Sequence, residues 1–285
     1  MARIAYVNGR YCDLRDAAVN IEDRGYQFSD GVYEVCEIRN RSLVDLPRHM
    51  ARLKRSLGEI RIAMPMGEAA LAAVMHEVVR RNRVHYGMIY LQITRGVAHR
   101  DHAFPSPAAK PSLTVTAKGL SFEKNQAMAA KGIAVITVPE NRWPRVDIKS
   151  VSLLPNVLAK QQAKEQGAYE AWFIGSDGCV TEGSSSNAWI VTTSGTVVTR
   201  SAERSILPGI TRAVLMEVLA ALQIRLEERP FTPAEAQEAA EAFVTASTQI
   251  VMPVVKIDGK PVGTGTPGPI ALKLRDHFHD FSTFS

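Results

Sequence analysis

Asp147-Ile148-Lys149-Ser150 sets one lysine among apolar side chains, with Val146 before it and Val151, Leu153 and Leu154 after it. A strand-like run over 132–138 lies upstream and a helix-like run over 154–166 lies downstream. A lysine amine works covalently on carbonyl groups when burial or nearby positive charge leaves part of it deprotonated. In that setting Lys149 is a candidate for an imine with an aldehyde. The bland alternative is a surface lysine whose alkyl stem covers an apolar edge. The remaining segments decide between the two.

Composition narrows the classes. A chain of 285 residues, 46% hydrophobic and 22% charged, is sized for one large or two smaller globular domains. The net charge of +5 is spread without a long run of like charge or a basic stripe interleaved with aromatics, so no nucleic-acid partner is expected. The chain opens on a strand-like run rather than a signal peptide, and no apolar run reaches the roughly 18–20 residues of a membrane span. The odd, scattered cysteines Cys12, Cys36 and Cys179 read as free thiols in a reducing, cytoplasmic setting.

Along the chain, Asn8-Gly9 between apolar runs signals a tight hairpin. Residues 31–38 alternate like a strand after the turn-rich Asp23-Arg24-Gly25. Helices are expected over 47–57, starting at Pro47, and over 68–83. Strands follow at 88–94 and 112–117, separated by a proline-containing irregular segment. Residues 118–130 change character to a polar stretch with little pattern, and a domain boundary is placed there. Beyond it come a strand at 132–138, a helix at 154–166 ended by Gly167, strands at 169–174, 188–192 and 196–199, and a helix at 209–221. A short helix at 233–242, a strand at 243–246, a hairpin around Asp258-Gly259 and a helix at 269–281 complete the reading. Helices and strands mix without a βαβ rhythm, which favours α+β.

Several segments carry chemistry-bearing residues. Gly263-Thr264-Gly265-Thr266-Pro267-Gly268 has dinucleotide-loop spacing but contains a proline and precedes no βαβ unit, so it reads as a connection into the last helix. Leu207-Pro208-Gly209-Ile210-Thr211-Arg212 opens an apolar helix, and such an N-terminus offers amides and a hydroxyl to an anion, or is simply a helix entry. Thr181-Glu182-Gly183-Ser184-Ser185-Ser186-Asn187 is either a solvated loop or a pocket lining with one carboxylate. His99-Arg100-Asp101-His102 lacks further metal ligands, so no metal is expected; Arg100 and His102 suit a carboxylate, or sit in a solvated loop. Arg52 beside the apolar face of its helix either snorkels or clamps a phosphate.

Taken in order, Asp23-Arg24-Gly25-Tyr26-Gln27-Phe28-Ser29-Asp30-Gly31-Val32-Tyr33-Glu34, the Lys149 tetrapeptide, the Glu182 segment and the Ile210-Thr211 segment resemble the class IV aminotransferases, pyridoxal-phosphate enzymes of fold type IV. The resemblance extends over nearly the whole chain. Within the family it is nearest to the D-amino-acid branch, on Arg100 and His102 in Thr94-Arg95-Gly96-Val97-Ala98-His99-Arg100-Asp101-His102. It implies a two-domain α+β fold, with a smaller N-terminal α/β domain over 1–120, a larger C-terminal α+β pseudo-barrel domain over 121–285, and the cofactor at their interface. It implies pyridoxal 5′-phosphate as the cofactor. Lys149 then forms the internal aldimine and shuttles the proton between substrate Cα and cofactor C4′. Glu182 keeps the pyridine nitrogen protonated. Arg52, Ile210, Thr211 and Ser247 hold the phosphate. Tyr33, Arg100 and His102 bind the substrate α-carboxylate. The family member compared has Ser-Thr where Ala246-Ser247 stand here, so one hydroxyl is absent. Members of the family are homodimers in which the Arg100–His102 loop completes the neighbour's site.

The substrates implied are a D-amino acid such as D-alanine and a 2-oxo acid such as 2-oxoglutarate, exchanged by ping-pong half-reactions. Alternatives within the fold are a branched-chain L-amino-acid or (R)-amine aminotransferase, against which Arg100 and His102 argue, and an aminodeoxychorismate lyase that needs the same lysine. A non-catalytic binding protein is the remaining class, and a colourless, cofactor-free protein would favour it.

Overall fold

A computed structural model describes residues 3–203 and 205–285. It divides into two compact units. The first holds the described residues through Ser121 together with Ile148–Ser152 and Thr283–Ser285, and the second holds Phe122–Asp147 and Leu153–Ser282.

In the first unit, β1 (Ile4–Val7) and β2 (Arg10–Asp13) form the expected hairpin, with Asn8 and Gly9 both at positive φ. A short helix, α1 (Arg24–Phe28), leads to β3 (Gly31–Arg39), β4 (Ser42–Leu43), α2 (Leu46–Glu59), α3 (Glu68–Asn82), β5 (Tyr86–Thr94) and β6 (Ser112–Gly119). The sheet order among the described residues is β2-β1-β6-β5-β3-β4, antiparallel throughout. Pro47 stands in the first turn of α2, where a missing N–H costs nothing. Met50, Leu53 and Leu57 of α2 and Leu71, Met75 and Val78 of α3 pack with Val32, Ile89, Leu91 and Val115 of the sheet. Each such burial stabilises by about 1.5–3 kcal/mol. Ile148 joins this same core, and Ser150 bridges to Val32 of β3, so the lysine segment belongs to the first unit.

The second unit runs α4 (Phe122–Lys131), β7 (Ile133–Pro139), α5 (Leu154–Glu165), β8 (Glu170–Ile174), β9 (Val180–Gly183), β10 (Asn187–Val191), β11 (Val197–Thr199), α6 (Ile210–Ala221), β12 (Leu226–Glu228), α7 (Pro233–Glu238), β13 (Glu241–Ala246), β14 (Ile250–Ile257), β15 (Lys260–Pro261) and α8 (Pro269–His277). Its sheet order among the described residues is β12-β11-β10-β13-β14-β7-β8-β9, with β15 on β14, and parallel and antiparallel pairs mix. Strands such as β10 are apolar on both faces because both are covered: Ala188 and Ile190 join one core, Trp189 and Val191 another. Trp189 stacks on Phe243 at 5.5 Å between ring centres. The architecture is α+β, as the lack of a βαβ rhythm implied. No helix among the described residues is long and apolar enough to cross a membrane.

The structure differs from the sequence reading in places. Residues 118–130, expected to have little pattern, contain the end of β6 and α4, which buries only Ala129 and so shows no apolar stripe. The turn-rich Asp23-Arg24-Gly25 opens a short helix running to Phe28, with Asp23 accepting from Gly25 N–H at 2.8 Å as its cap. The Glu182 segment is not a loop at its start: Val180–Gly183 is a strand. The expected helix at 233–242 stops at Glu238, and the last helix ends at His277 with a 3-10 turn after it.

The glycine-rich connection does lead into α8, and Gly268 supplies no capping side chain there. Glu241 of β13 caps the helix instead, accepting from Ile270 N–H at 2.9 Å and Ala271 N–H at 2.8 Å. A buried carboxylate at a helix N-terminus satisfies two orphan amides and the dipole at once. Glu241→Ala should cost about 1–3 kcal/mol in urea unfolding, with Glu241→Gln between that variant and the wild type.

Candidate active site

Lys149 is half-buried. Three backbone hydrogen bonds fix its segment: Tyr33 N–H donates to the Lys149 carbonyl at 3.0 Å, Val151 N–H to Gly31 O at 3.1 Å, and Lys149 N–H to Ser56 Oγ at 3.3 Å. The amine lies 4.1 Å from the centre of the Tyr33 ring. It forms no ion pair among the described residues. An amine held over an aromatic face without a carboxylate to neutralise it is free to meet an electrophile. Ser56 lies one turn after Arg52 on α2, so the helix that carries Arg52 also anchors the lysine backbone.

Arg52 itself is engaged. Its Nε and Nη2 donate to the Glu34 carboxylate at 2.8 and 2.7 Å, and His49 Nδ1 lies 2.7 Å from the same carboxylate. All three side chains are buried. Burial pushes the Glu34 carboxyl up, but Arg52 and His49 outweigh it and hold the group well below the usual carboxylate range. Burial pulls the His49 imidazole down, more than Glu34 raises it. Glu34 follows Tyr33 on β3, so strand alternation sends the two side chains to opposite faces.

Arg100 and His102 are exposed, and among the described residues neither makes a hydrogen bond, ion pair or ring contact with Lys149 or Tyr33. Both lie against Phe28, at 4.9 Å for the Arg100 guanidinium and 5.4 Å for the His102 ring. Their loop is held from beneath. Buried Arg24 donates to the carbonyls of Asp101, His102 and Ala103 at 2.5, 3.3 and 3.2 Å. Asp30 orients Arg24 at 2.8 Å and pairs with Arg95 through contacts of 2.6 and 2.9 Å. Burial raises the Asp30 carboxyl, yet the hydrogen bonds from Arg95 and Arg24 leave it below its ordinary value.

In the second unit, Glu182 is buried and accepts three hydrogen bonds. One oxygen accepts from Arg142 Nη1 at 2.6 Å, and the other from Asn187 Nδ2 and Leu207 N–H, each at 3.0 Å. Burial pushes its carboxyl up, and Arg142 offsets this only in part. Arg142 also grips Glu140 at 2.6 Å and lies over Phe173. Asn187 donates to Leu207 O at 3.0 Å and pairs with Thr245 at the end of β13. These contacts gather Glu182, the entry to α6 and the turn after β13 at one end of the sheet. Gly209 must lack a side chain, since a Cβ would lie 2.1 Å from Asn187 Oδ1. Gly209 therefore gives α6 no side-chain cap, and buried Ile210 and Thr211 open the helix. Ser247, half-buried, sits in the turn between β13 and β14. A buried carboxylate, an uncapped helix N-terminus and a hydroxylated turn are a donor set that fits a phosphorylated pyridine.

The sequence reading gave no role to Glu34, His49, Arg24, Arg142 and Asn187, although Arg24, Glu34 and Asn187 lie in the motifs it quoted. It left the serines after Glu182 between a solvated loop and a pocket lining, and the structure gives them a buried partner. Ser184, Ser185 and Ser186 donate to Glu170, a carboxylate buried to 0% exposure, with Ser185 at 2.7 Å and Ser186 at 3.2 Å. Hydroxyls converge there because a carboxyl group out of water needs several hydrogen-bond partners. A glutamate between apolar residues in a strand was the available signal.

Glu34→Gln should destabilise the protein by roughly 3–5 kcal/mol in urea unfolding, because it leaves Arg52 buried without its carboxylate. The depressed imidazole makes His49 stabilising at high pH. Wild-type stability should fall as pH drops through 6.5, where the unfolded chain takes up the proton first, and His49→Gln should flatten that slope.

The chain matches the family described as Amino-transferase class IV over residues 31–257. It is 42% identical to a D-alanine aminotransferase of Bacillus licheniformis across 94% of this chain and 93% of that protein. It is 39% identical to a D-alanine aminotransferase of Staphylococcus haemolyticus, with 97% and 96% covered. A solved T.th. branched-chain amino acid aminotransferase, with pyridoxamine 5'-phosphate, superposes with a TM-score of 0.89 at 26% identity, over 98% of this chain and 94% of that one. The chain belongs to the class IV aminotransferases.

Proposed function

We propose that the protein transfers the amino group between a D-amino acid, D-alanine among them, and a 2-oxo acid such as 2-oxoglutarate. The placement of Lys149 carries the reading: a half-buried amine on the Tyr33 ring, pinned by its backbone to β3 and α2. The extent of similarity to D-alanine aminotransferases supports the choice of substrate. The cofactor is pyridoxal 5′-phosphate, which binds lysine through its aldehyde and supplies an electron sink for the substrate Cα carbanion.

Lys149 holds the cofactor, then takes the Cα proton and returns it at C4′. Glu182 keeps the ring nitrogen protonated. The Arg52 guanidinium, the amides at Ile210 and Thr211, and the Ser247 hydroxyl bind the phosphate. Tyr33, Arg100 and His102 receive the α-carboxylate common to both substrates, so one trap serves both half-reactions. Exposed Arg100 and His102, on a loop braced by Arg24, suit a homodimer in which each loop completes the neighbour's site. The free thiols Cys12, Cys36 and Cys179 suit a cytoplasmic location.

The branched-chain reading draws on the likeness to the T.th. enzyme, which is lower in identity than the likeness to D-alanine aminotransferases. Adding D-alanine, L-leucine and (R)-1-phenylethylamine separately to the cofactor-loaded protein, without oxo acid, decides among them. Bleaching of the visible band by D-alanine alone, with pyruvate released, is expected. Bleaching by L-leucine or the amine would move the substrate assignment, and an intact band with all three would favour the lyase.

Lys149→Ala should abolish both the visible band and turnover, and retained transamination would remove Lys149 from its role. Arg100→Ala should raise KM for amino and oxo acids by a factor of about ten to a hundred, as loss of a charge-assisted bidentate contact implies. An unchanged KM in steady-state assays would place the carboxylate elsewhere.

A further inference from the structure

Ile250 has φ +60, in the left-handed region. A β-branched side chain crowds its own backbone there, so the conformation persists only where its surroundings enforce it. Ile250 closes the turn over 247–249 by pairing with Ala246, and its side chain is buried in the core with Leu215, Phe243 and Val251. Packing accounts for an aliphatic residue at this position. It does not account for the backbone.

The enforcing contacts come from outside the turn. Arg275 of α8 is buried, and its Nη1 donates to Gln249 O at 2.6 Å and to Val251 O at 2.7 Å, the carbonyls on either side of Ile250. Arg275 is oriented by Gln126 Oε1, at 3.0 Å from Nε and 2.6 Å from Nη2, and by Asn125 Oδ1. Asn125 Nδ2 in turn donates to Thr248 O at 3.0 Å, and Gln249 Nε2 to the Tyr169 hydroxyl. The turn is thus held at Thr248, Gln249 and Val251. The Ser247 hydroxyl, within the same turn, makes no hydrogen bond among the described residues.

We infer that Arg275 is a positioning residue for the cofactor phosphate: its grip on the carbonyls flanking Ile250 keeps the turn in the conformation that presents Ser247. The inference rests on the phosphate-binding role proposed for Ser247. Lysine at 275 has a single charged head on a flexible stem and cannot bridge both carbonyls while held by Gln126 and Asn125. Glycine at 250 adopts the left-handed conformation without help.

The test measures the dissociation constant for pyridoxal 5′-phosphate, from the visible band after dialysis of the holoenzyme against graded cofactor. Substrate KM is measured at saturating cofactor. Arg275→Lys should weaken cofactor binding by about tenfold to a hundredfold, the loss typical of an outer support to a bound group, with KM unchanged. Ile250→Gly in that background should restore most of the affinity, although the lost side chain lowers the melting temperature. If Arg275→Lys does not fold, Asn125→Ala should weaken cofactor binding in the same direction. Unchanged affinity in Arg275→Lys beside weakened affinity in Ser247→Ala overturns this inference and leaves the functional reading intact. Unchanged affinity in Ser247→Ala removes the turn from the phosphate site and overturns both the inference and the phosphate role of Ser247, while the reaction assigned through Lys149 stands. Weakened binding that Ile250→Gly fails to restore shows that Arg275 acts by another route, and also overturns the inference.

Discussion

The site depends on a backbone constraint before it depends on any side chain. Residues 148–152 lie along β3 through the Tyr33–Lys149 and Val151–Gly31 hydrogen bonds, with Ile148 sealed into the core of the first unit. Burying Ile148 fixes which way the chain faces there, and its neighbour must then turn away from that core. Lys149 is aimed by the apolar residue before it and the paired serine after it. A lysine on a free loop would lose several rotatable bonds' worth of freedom on meeting an aldehyde. Here most of the backbone share of that loss is met by folding.

In each unit charged groups follow a common plan: a cation withdrawn from solvent is braced by a carboxylate, or the reverse. Glu34 braces Arg52, Asp30 braces Arg24 and Arg95, and Arg142 braces Glu182. Isolated burial of any one of these groups would be strongly unfavourable, and pairing confines each to one geometry. Such pairs contribute orientation more than stability.

Much of this was legible in the sequence, and the failures have identifiable physical causes. The hairpin at Asn8-Gly9, β3, α2 and α6 announce themselves because their local chemistry and their tertiary roles agree. α4 does not, because it packs through Ala129 and little else. The residues taken from motifs were visible because their types are unusual in their settings. Glu34, Asn187 and Arg142 received no role, because each role rests on a contact outside its own segment: Arg52 for Glu34, Leu207 for Asn187 and Glu182 for Arg142. The serines after Glu182, open between a solvated loop and a pocket lining in the sequence, are the hydrogen-bond shell of one buried glutamate, Glu170, whose only local signal is its place between apolar residues in a strand.

The membership of the first unit bears on biosynthesis. Its sheet is encoded by the first part of the chain, but Ile148–Ser152 complete it, and Ser285 pairs with Leu43 through both backbone bonds while Thr283 N–H is taken by Asp45. At roughly 5–20 residues per second, the ribosome delivers Thr283 on the order of ten seconds after Ser152. During that interval the leading sheet has its lysine segment but lacks its last edge contact. Chaperones that mask open strand edges would have their main opportunity to act on this chain then.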